Sequence, residues 1–197
     1  DLDGDGIADL VLGGANGTRV VERSSTTRQL HAAPARHLAS ADLNADGRAD
    51  LVITEAATRA VHVLTSTGSG FTFAQATLAS AGSVASTALA DYDGDGAPDL
   101  LLAIDGEDLG PPANVVLRNV PGIGFEPAAT FGQSATLELH AADVNGDGIN
   151  DVIAVNASGS HQVYFGNAQG GLDLQSELVL RPDTALGKVA PLDGDAF

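Results

Sequence analysis

Apolar residues along this chain come in short runs rather than in helical stripes: LVL at 10–12, LVI at 51–53, LLL at 100–102 and VIAV at 152–155. Runs this short, bounded by Gly, Asn, Asp, Ser and Thr, predict buried strands. Around each run the chain offers further alternating or β-branched segments separated by turn residues, so the pattern reads as repeated groups of strands. The predicted strands are 10–13, 18–23 and 27–33, then 36–41, 51–55, 60–66 and 71–78. They continue at 84–90, 100–104, 114–120 and 125–131, then at 136–142, 152–156, 161–165 and 172–180, with one more at 186–192. No helical periodicity of any length interrupts them, and the expected class is all-β.

Immediately before each run stands a polar nonapeptide: DLDGDGIAD at 1–9, DLNADGRAD at 42–50, DYDGDGAPD at 91–99 and DVNGDGIND at 143–151, with an incomplete copy, PLDGDAF, at 191–197. The copies start 41, 49, 52 and 48 residues apart. Self-similarity at that period points to a propeller or solenoid. The strand entering each loop is poor in bulk (HLASA at 37–41, ASTALA at 85–90, LELHAA at 137–142), which suits the crowded inner wall of a propeller.

Counting from the first Asp, positions 1, 3, 5 and 9 always carry a short side chain with a carboxylate or amide oxygen. Several such oxygens around one tight turn suit a hard cation with six to eight oxygen ligands, and without one the carboxylates would repel. Gly6, Gly47, Gly96 and Gly148 stand at position 6, where a sharp turn needs positive φ. Position 7 varies freely, which leaves its main-chain carbonyl as the useful group. The predicted ligands are Asp1, Asp3, Asp5, Asp9 and the Ile7 carbonyl; Asp42, Asn44, Asp46, Asp50 and the Arg48 carbonyl; Asp91, Asp93, Asp95, Asp99 and the Ala97 carbonyl; and Asp143, Asn145, Asp147, Asp151 and the Ile149 carbonyl. About four calcium ions follow. An EF-hand needs Glu at position 12 between helices, whereas Leu12, Ile53, Leu102 and Ala154 stand there. Isolated Asx turns would explain one copy, not four in a fixed order.

These loops resemble the FG-GAP repeats of integrin α-subunit propellers and the VCBS-type repeats of bacterial secreted proteins. The resemblance implies four-stranded blades, with a calcium loop joining the first and second strands, in a ring of about seven. The Phe-Gly pairs at 131–132 and 165–166 match the family name, but no convincing Gly-Ala-Pro follows them. The expected division is blade 1 at 1–34 without its inner strand, blade 2 at 35–82, blade 3 at 83–134, blade 4 at 135–184, and the start of a further blade at 185–197. About four blades would then form an open arc of a larger propeller, within a longer polypeptide; the alternative is a four-bladed ring shut by the strand at 186–192.

The formal charge of −17 changes little in this picture, because 16 of the 26 acidic residues lie in the five loops and four calcium ions would bring it to −9. An acidic chain does not suit nucleic acid. There is no Cys, hence no disulfide framework or thiolate metal site, and no apolar run approaches the ~18 residues of a membrane span. His31, His37, His62, His140 and His161 show no H-x-x-x-H spacing, and no G-x-S-x-G elbow occurs. His37 and His140 both sit near entering strands and could share the channel wall. Tyr92, at loop position 2, is the best candidate for a sugar-stacking platform. The acidic connection 105–112, with its two prolines, is either a binding loop or a solvated insertion. The expected function is an extracellular, secreted calcium-binding module for adhesion or for binding a protein or glycan. The alternative is the scaffold of a secreted polysaccharide lyase or hydrolase, for which the sequence offers no catalytic cluster.

Overall fold

The computed structural model describes residues 1–21, 27–67, 73–78, 84–104, 113–167, 169 and 171–179, and every regular element among them is a β-strand. The strand predicted at 186–192, the acidic connection and the fifth loop lie outside the described residues. Strands β1 (Leu10–Gly14), β2 (Gly17–Val21) and β3 (Thr27–His31) form a three-stranded antiparallel sheet. Three four-stranded sheets follow in the same up-and-down order. The first holds β4 (Ala35–Ala41), β5 (Asp50–Glu55), β6 (Val61–Ser66) and β7 (Phe73–Leu78); the second β8 (Val84–Ala90), β9 (Asp99–Ile104), β10 (Asn114–Val120) and β11 (Gly124–Phe131). The third holds β12 (Thr136–Ala142), β13 (Asp151–Asn156), β14 (Ser160–Asn167) and β15 (Gly171–Val179). The polar loops at 42–50, 91–99 and 143–151 each join the first strand of a sheet to the second, with β5, β9 and β13 beginning on the last Asp, and the loop at 1–9 leads into β1.

The sheets stack as blades, and one apolar layer fills each gap. Val20, Leu51, Ile53 and Leu64 pack between the first two sheets; Val63, Leu100, Leu102 and Leu117 between the second and third; Leu101, Val116, Val152 and Tyr164 between the third and fourth. A strand covered on both faces has no solvent side to alternate toward, which is why LVI and LLL are continuous runs. β9 is buried at all six positions, whereas three of the five residues of β1 are exposed, Leu10 and Leu12 by 57 % and 50 %. The neighbours β1 and β4, β4 and β8, and β8 and β12 pack in succession, and no packing of that extent joins β12 to β1 among the described residues. Among the described residues the blades therefore form an open arc, not a closed ring.

A register shift recurs where β4, β8 and β12 begin, between Ala35 and His37, Val84 and Ser86, and Thr136 and Glu138. An extra residue there bends the strand and increases its twist, as inner strands of a radial stack require. Arg36 and Ala85 occupy equivalent bulges, and Arg36 Nε donates to the Ala85 carbonyl at 3.0 Å, tying one blade to the next. Gly166 lies in close contact with its own blade's loop and with the loop of the preceding blade. A Cβ there would stand 2.4 Å from the Asn150 carbonyl oxygen and 2.9 Å from that of Tyr92, so the Phe-Gly pair at 165–166 carries glycine for space.

Candidate functional site

The four loops repeat one hydrogen-bonded cage. In the first, Asp1 Oδ1 accepts from the amides of Gly4 and Asp5 at 2.7 and 3.1 Å, and Oδ2 accepts from Gly6 at 2.8 Å. Asp3 Oδ1 accepts from the Asp5 amide at 3.1 Å, and Asp5 Oδ1 from the Ile7 amide at 2.9 Å. The equivalent bonds to Asp91, Asp93 and Asp95 measure 2.7 to 3.2 Å. Asn44 and Asn145 keep the position-3 bond through Oδ1, and their Nδ2 groups donate to Asp46 and Asp147 at 3.2 and 3.0 Å. The Gly148 and Gly146 amides hold Asp143 below the usual carboxylate range. This wrapping needs left-handed backbone at position 4 as well as position 6: φ is +79° at Gly4 and +82° at Gly6. The need at position 4 was legible in Gly4, Gly94 and Gly146; in the second loop Ala45 takes φ +58°, a strained conformation for a residue with a Cβ.

Position 9 differs from the other three. Asp50, Asp99 and Asp151 are fully buried. Asp50 Oδ2 accepts from the Leu43 amide at 2.9 Å, within its own loop, while Oδ1 accepts from Ser66 at the end of β6 at 2.7 Å. Asp151 likewise takes the amides of Val144 and Gly166 at 2.8 and 3.1 Å, and Asp99 takes Asn119 at 2.8 Å. These carboxylates clamp the loop to the third strand of the blade, a role the ligand pattern alone did not reveal.

Position 2 is an inter-blade plug. Leu2 packs with Leu51, Ile53 and Leu64 of the second blade, Leu43 against the layer shared with the third, and Tyr92 within the layer shared with the fourth. Tyr92 is 1 % exposed, so it is core and not the sugar platform expected from its position. Val144, beyond which no further blade is described, is exposed. Neighbouring loops also bond directly: the Ala49 amide donates to the Asp1 carbonyl at 2.8 Å, and Asn150 to Asp91 at 3.2 Å.

The donor set fits calcium. One oxygen each from Asp1, Asp3 and Asp5 lie within 4.8 Å of one another, as do those of Asp91, Asp93 and Asp99. Asp99 Oδ2 is buried without a hydrogen-bonding partner, although the Tyr92 amide lies near enough to ease the charge. Burial, then the Asp93 carboxylate, push the Asp99 pKa up to about 7 against the Asn119 amide. A buried carboxylate short of counter-charge among hard oxygens is what a divalent cation satisfies. Arg118 supplies part of that charge, with Nε 3.0 Å from Asp93 Oδ2 and Nη2 3.2 Å from Asp95 Oδ2. Its side chain is half exposed, so the pair is weak enough for the guanidinium to turn aside.

The histidines are less scattered than their spacing implied. His37 meets the Thr87 hydroxyl at 3.2 Å across the β4 to β8 junction, and Glu138 and His140 on β12 lie close enough to act on its charge. Burial lowers the His37 pKa from its ordinary 6.5; Glu138 opposes this, while Arg36 and His140 add to it. Because the folded protein takes up this proton less readily, the unfolded chain protonates first as the pH falls through 6.5. Stability present above that value is then lost toward the folded pKa. His37 therefore contributes a fall in melting temperature between pH 7 and pH 5, opposed by Asp99, whose raised pKa adds stability as the pH falls through the same range; His37→Asn should shift the slope of thermal scans in that window toward higher relative stability at pH 5. Equal slopes would exclude His37 as a contributor. At the rim opposite the acidic loops, His31, Glu55 and His62 converge, a cluster drawn from three strands.

Residues 42–102, from the second loop into β9, match the FG-GAP-like repeat family. No curated protein matches the sequence. Among solved structures, the V. cholerae biofilm matrix protein Bap1 is similar, with TM-score 0.45 and 24 % sequence identity over 87 % of this chain. The match spans 28 % of the Bap1 chain.

Proposed function

We propose that this chain, an arc of FG-GAP-like β-propeller blades, is an extracellular module that binds calcium structurally and serves adhesion or the binding of a protein or glycan. The observation that carries the reading is the recurrence of one carboxylate cage in four loops, the position-6 glycine amide donating to the first Asp at 2.8 to 2.9 Å in each. Each loop would hold one ion through positions 1, 3, 5 and 9 and the carbonyl of Ile7, Arg48, Ala97 or Ile149. Calcium supplies the counter-charge that lets three or four carboxylates share one turn. The chain does the rest: main-chain amides aim the carboxylates, position 9 ties the loop to the blade, and position 2 docks it on the next blade. In this reading the arc belongs to a larger ring of about seven blades.

A groove of about 780 Å³ opens between the second and third blades, lined by Asn44, Asp95, Pro98, Ile123 and Phe125 among others. It lies beside the acidic loops and combines oxygen ligands with apolar surface, a mixture suited to an extended peptide or sugar chain. Calcium titration by calorimetry tests the ion sites. Asp95→Ala should remove one binding equivalent and leave the others; an unchanged stoichiometry would count against the assignment.

A further inference from the structure

We propose that His31, Glu55 and His62 form a second kind of metal site, for a zinc-class transition ion, at the rim opposite the acidic loops. Nε2 of His31 and Nε2 of His62 each lie 3.0 Å from the same oxygen, Glu55 Oε1, and the three ligand atoms fall within 4.8 Å of one another. The imidazole centroids are 4.6 Å apart. In a tetrahedral zinc site with ligands at about 2.0–2.2 Å, donor atoms stand about 3.3–3.5 Å apart, so the cluster needs only a slight opening. Two imidazoles and one carboxylate are borderline donors that suit zinc and its neighbours, not calcium, which takes six to eight oxygens.

The surrounding chain holds the three side chains in this convergence. Residues 55–60 make a tight turn, closed by the Glu55 amide on the Ala60 carbonyl at 2.9 Å and the Arg59 amide on the Glu55 carbonyl at 3.1 Å. Within it the Thr58 hydroxyl donates to Glu55 Oε2, which leaves Oε1 for the imidazoles. On the far side of the His62 ring, the Thr77 hydroxyl oxygen stands 2.8 Å from Nδ1, placed to accept its proton when Nε2 holds an ion. Outer hydrogen bonds of this sort fix ring orientation in metal-binding histidines. The side chains are 10–14 % exposed, so an ion can reach them while most of its shell is protein.

Topology places the cluster away from the acidic loops. β5 leaves its loop at Asp50 and ends at Glu55, β6 returns from His62, and β3 ends at His31. An ion there would staple the last strand of the first blade to the second blade, where β1 is poorly covered. Three protein ligands would leave a fourth position for water or for an oxygen ligand of a partner.

The experiment is a Co²⁺ titration of the calcium-saturated protein, read by visible absorption, followed by displacement with Zn²⁺. One equivalent with the intense bands of a four- or five-coordinate site is expected, with a rise in melting temperature when Zn²⁺ binds. His31→Ala and His62→Ala should abolish the bands while calcium stoichiometry stays the same, which also reports that the loops remain folded. Glu55→Gln, which preserves hydrogen bonding, should weaken Co²⁺ binding at least tenfold. Absence of the bands in the unaltered protein, or Co²⁺ binding of equal strength in Glu55→Gln, would leave a hydrogen-bonded cluster only and overturn the proposal. Excess calcium competes for oxygen-only sites throughout, and comparison with His31→Ala and His62→Ala assigns the bands to this cluster whether or not the loops bind calcium.

Discussion

Removing calcium with excess chelator is expected to lower the melting temperature by roughly 10–20 °C. At free calcium ten times the dissociation constant, each occupied site adds about 1.4 kcal/mol, and four sites about 6 kcal/mol. For a chain of this size each kcal/mol moves the midpoint by about 2–4 °C. The physical origin is the repulsion inside each cage: Asp1, Asp3 and Asp5 bring their oxygens within 4.8 Å, and the surrounding amides offset that only in part. The second and fourth loops, with Asn44 and Asn145 at position 3, carry one carboxylate fewer and should release their ions first as chelator is added. A melting curve unmoved by chelator would remove structural calcium from the account.

Asp50→Ala is expected to destabilise the protein by about 3–5 kcal/mol, far more than Asp95→Ala, and to do so with or without calcium. Asp50 is buried and accepts from two amides, Leu43 at 2.9 Å and Ser66 at 2.7 Å. Losing it strands both donors, at about 1–3 kcal/mol each. Asp95 is exposed, its cage bond is to the neighbouring Ala97 amide, and in the proposed reading it would contribute mainly to the ion. Thermal scans of both variants in chelator separate the two roles: the Asp50→Ala deficit should persist and that of Asp95→Ala should nearly vanish. If both deficits vanished together, position 9 would be a ligand and nothing more.

These contrasts mark how much of the protein could be read along the chain. The strands expected at 84–90, 114–120 and 136–142 coincide with β8, β10 and β12, and most others end within one or two residues of the observed limits. The order of oxygen-bearing residues in the loops, their glycines and the small residues of the entering strands were all visible, because each is encoded within about nine consecutive residues. The clamping role of Asp50, Asp99 and Asp151 was not, since the amides on Ser66, Asn119 and Gly166 lie 16, 20 and 15 residues away. Tyr92 looked like an exposed ring because its neighbours in sequence are polar, but it shares one apolar layer with Leu101 of its own sheet and with Val152 and Tyr164 of the next.

The sequence by itself determined the class, the repeat of strand groups and the conformation of the acidic turns, since turn conformation and strand burial follow from nearest neighbours and short-period patterning. Only the tertiary structure decided the rest. The stacking of successive sheets buries position 2, leaves β1 uncovered at the end of the arc, and draws His31 to Glu55 across 24 residues. Such placements depend on how whole sheets pack and twist against one another, a property summed over many distant side chains, and no local stretch of the chain contains it.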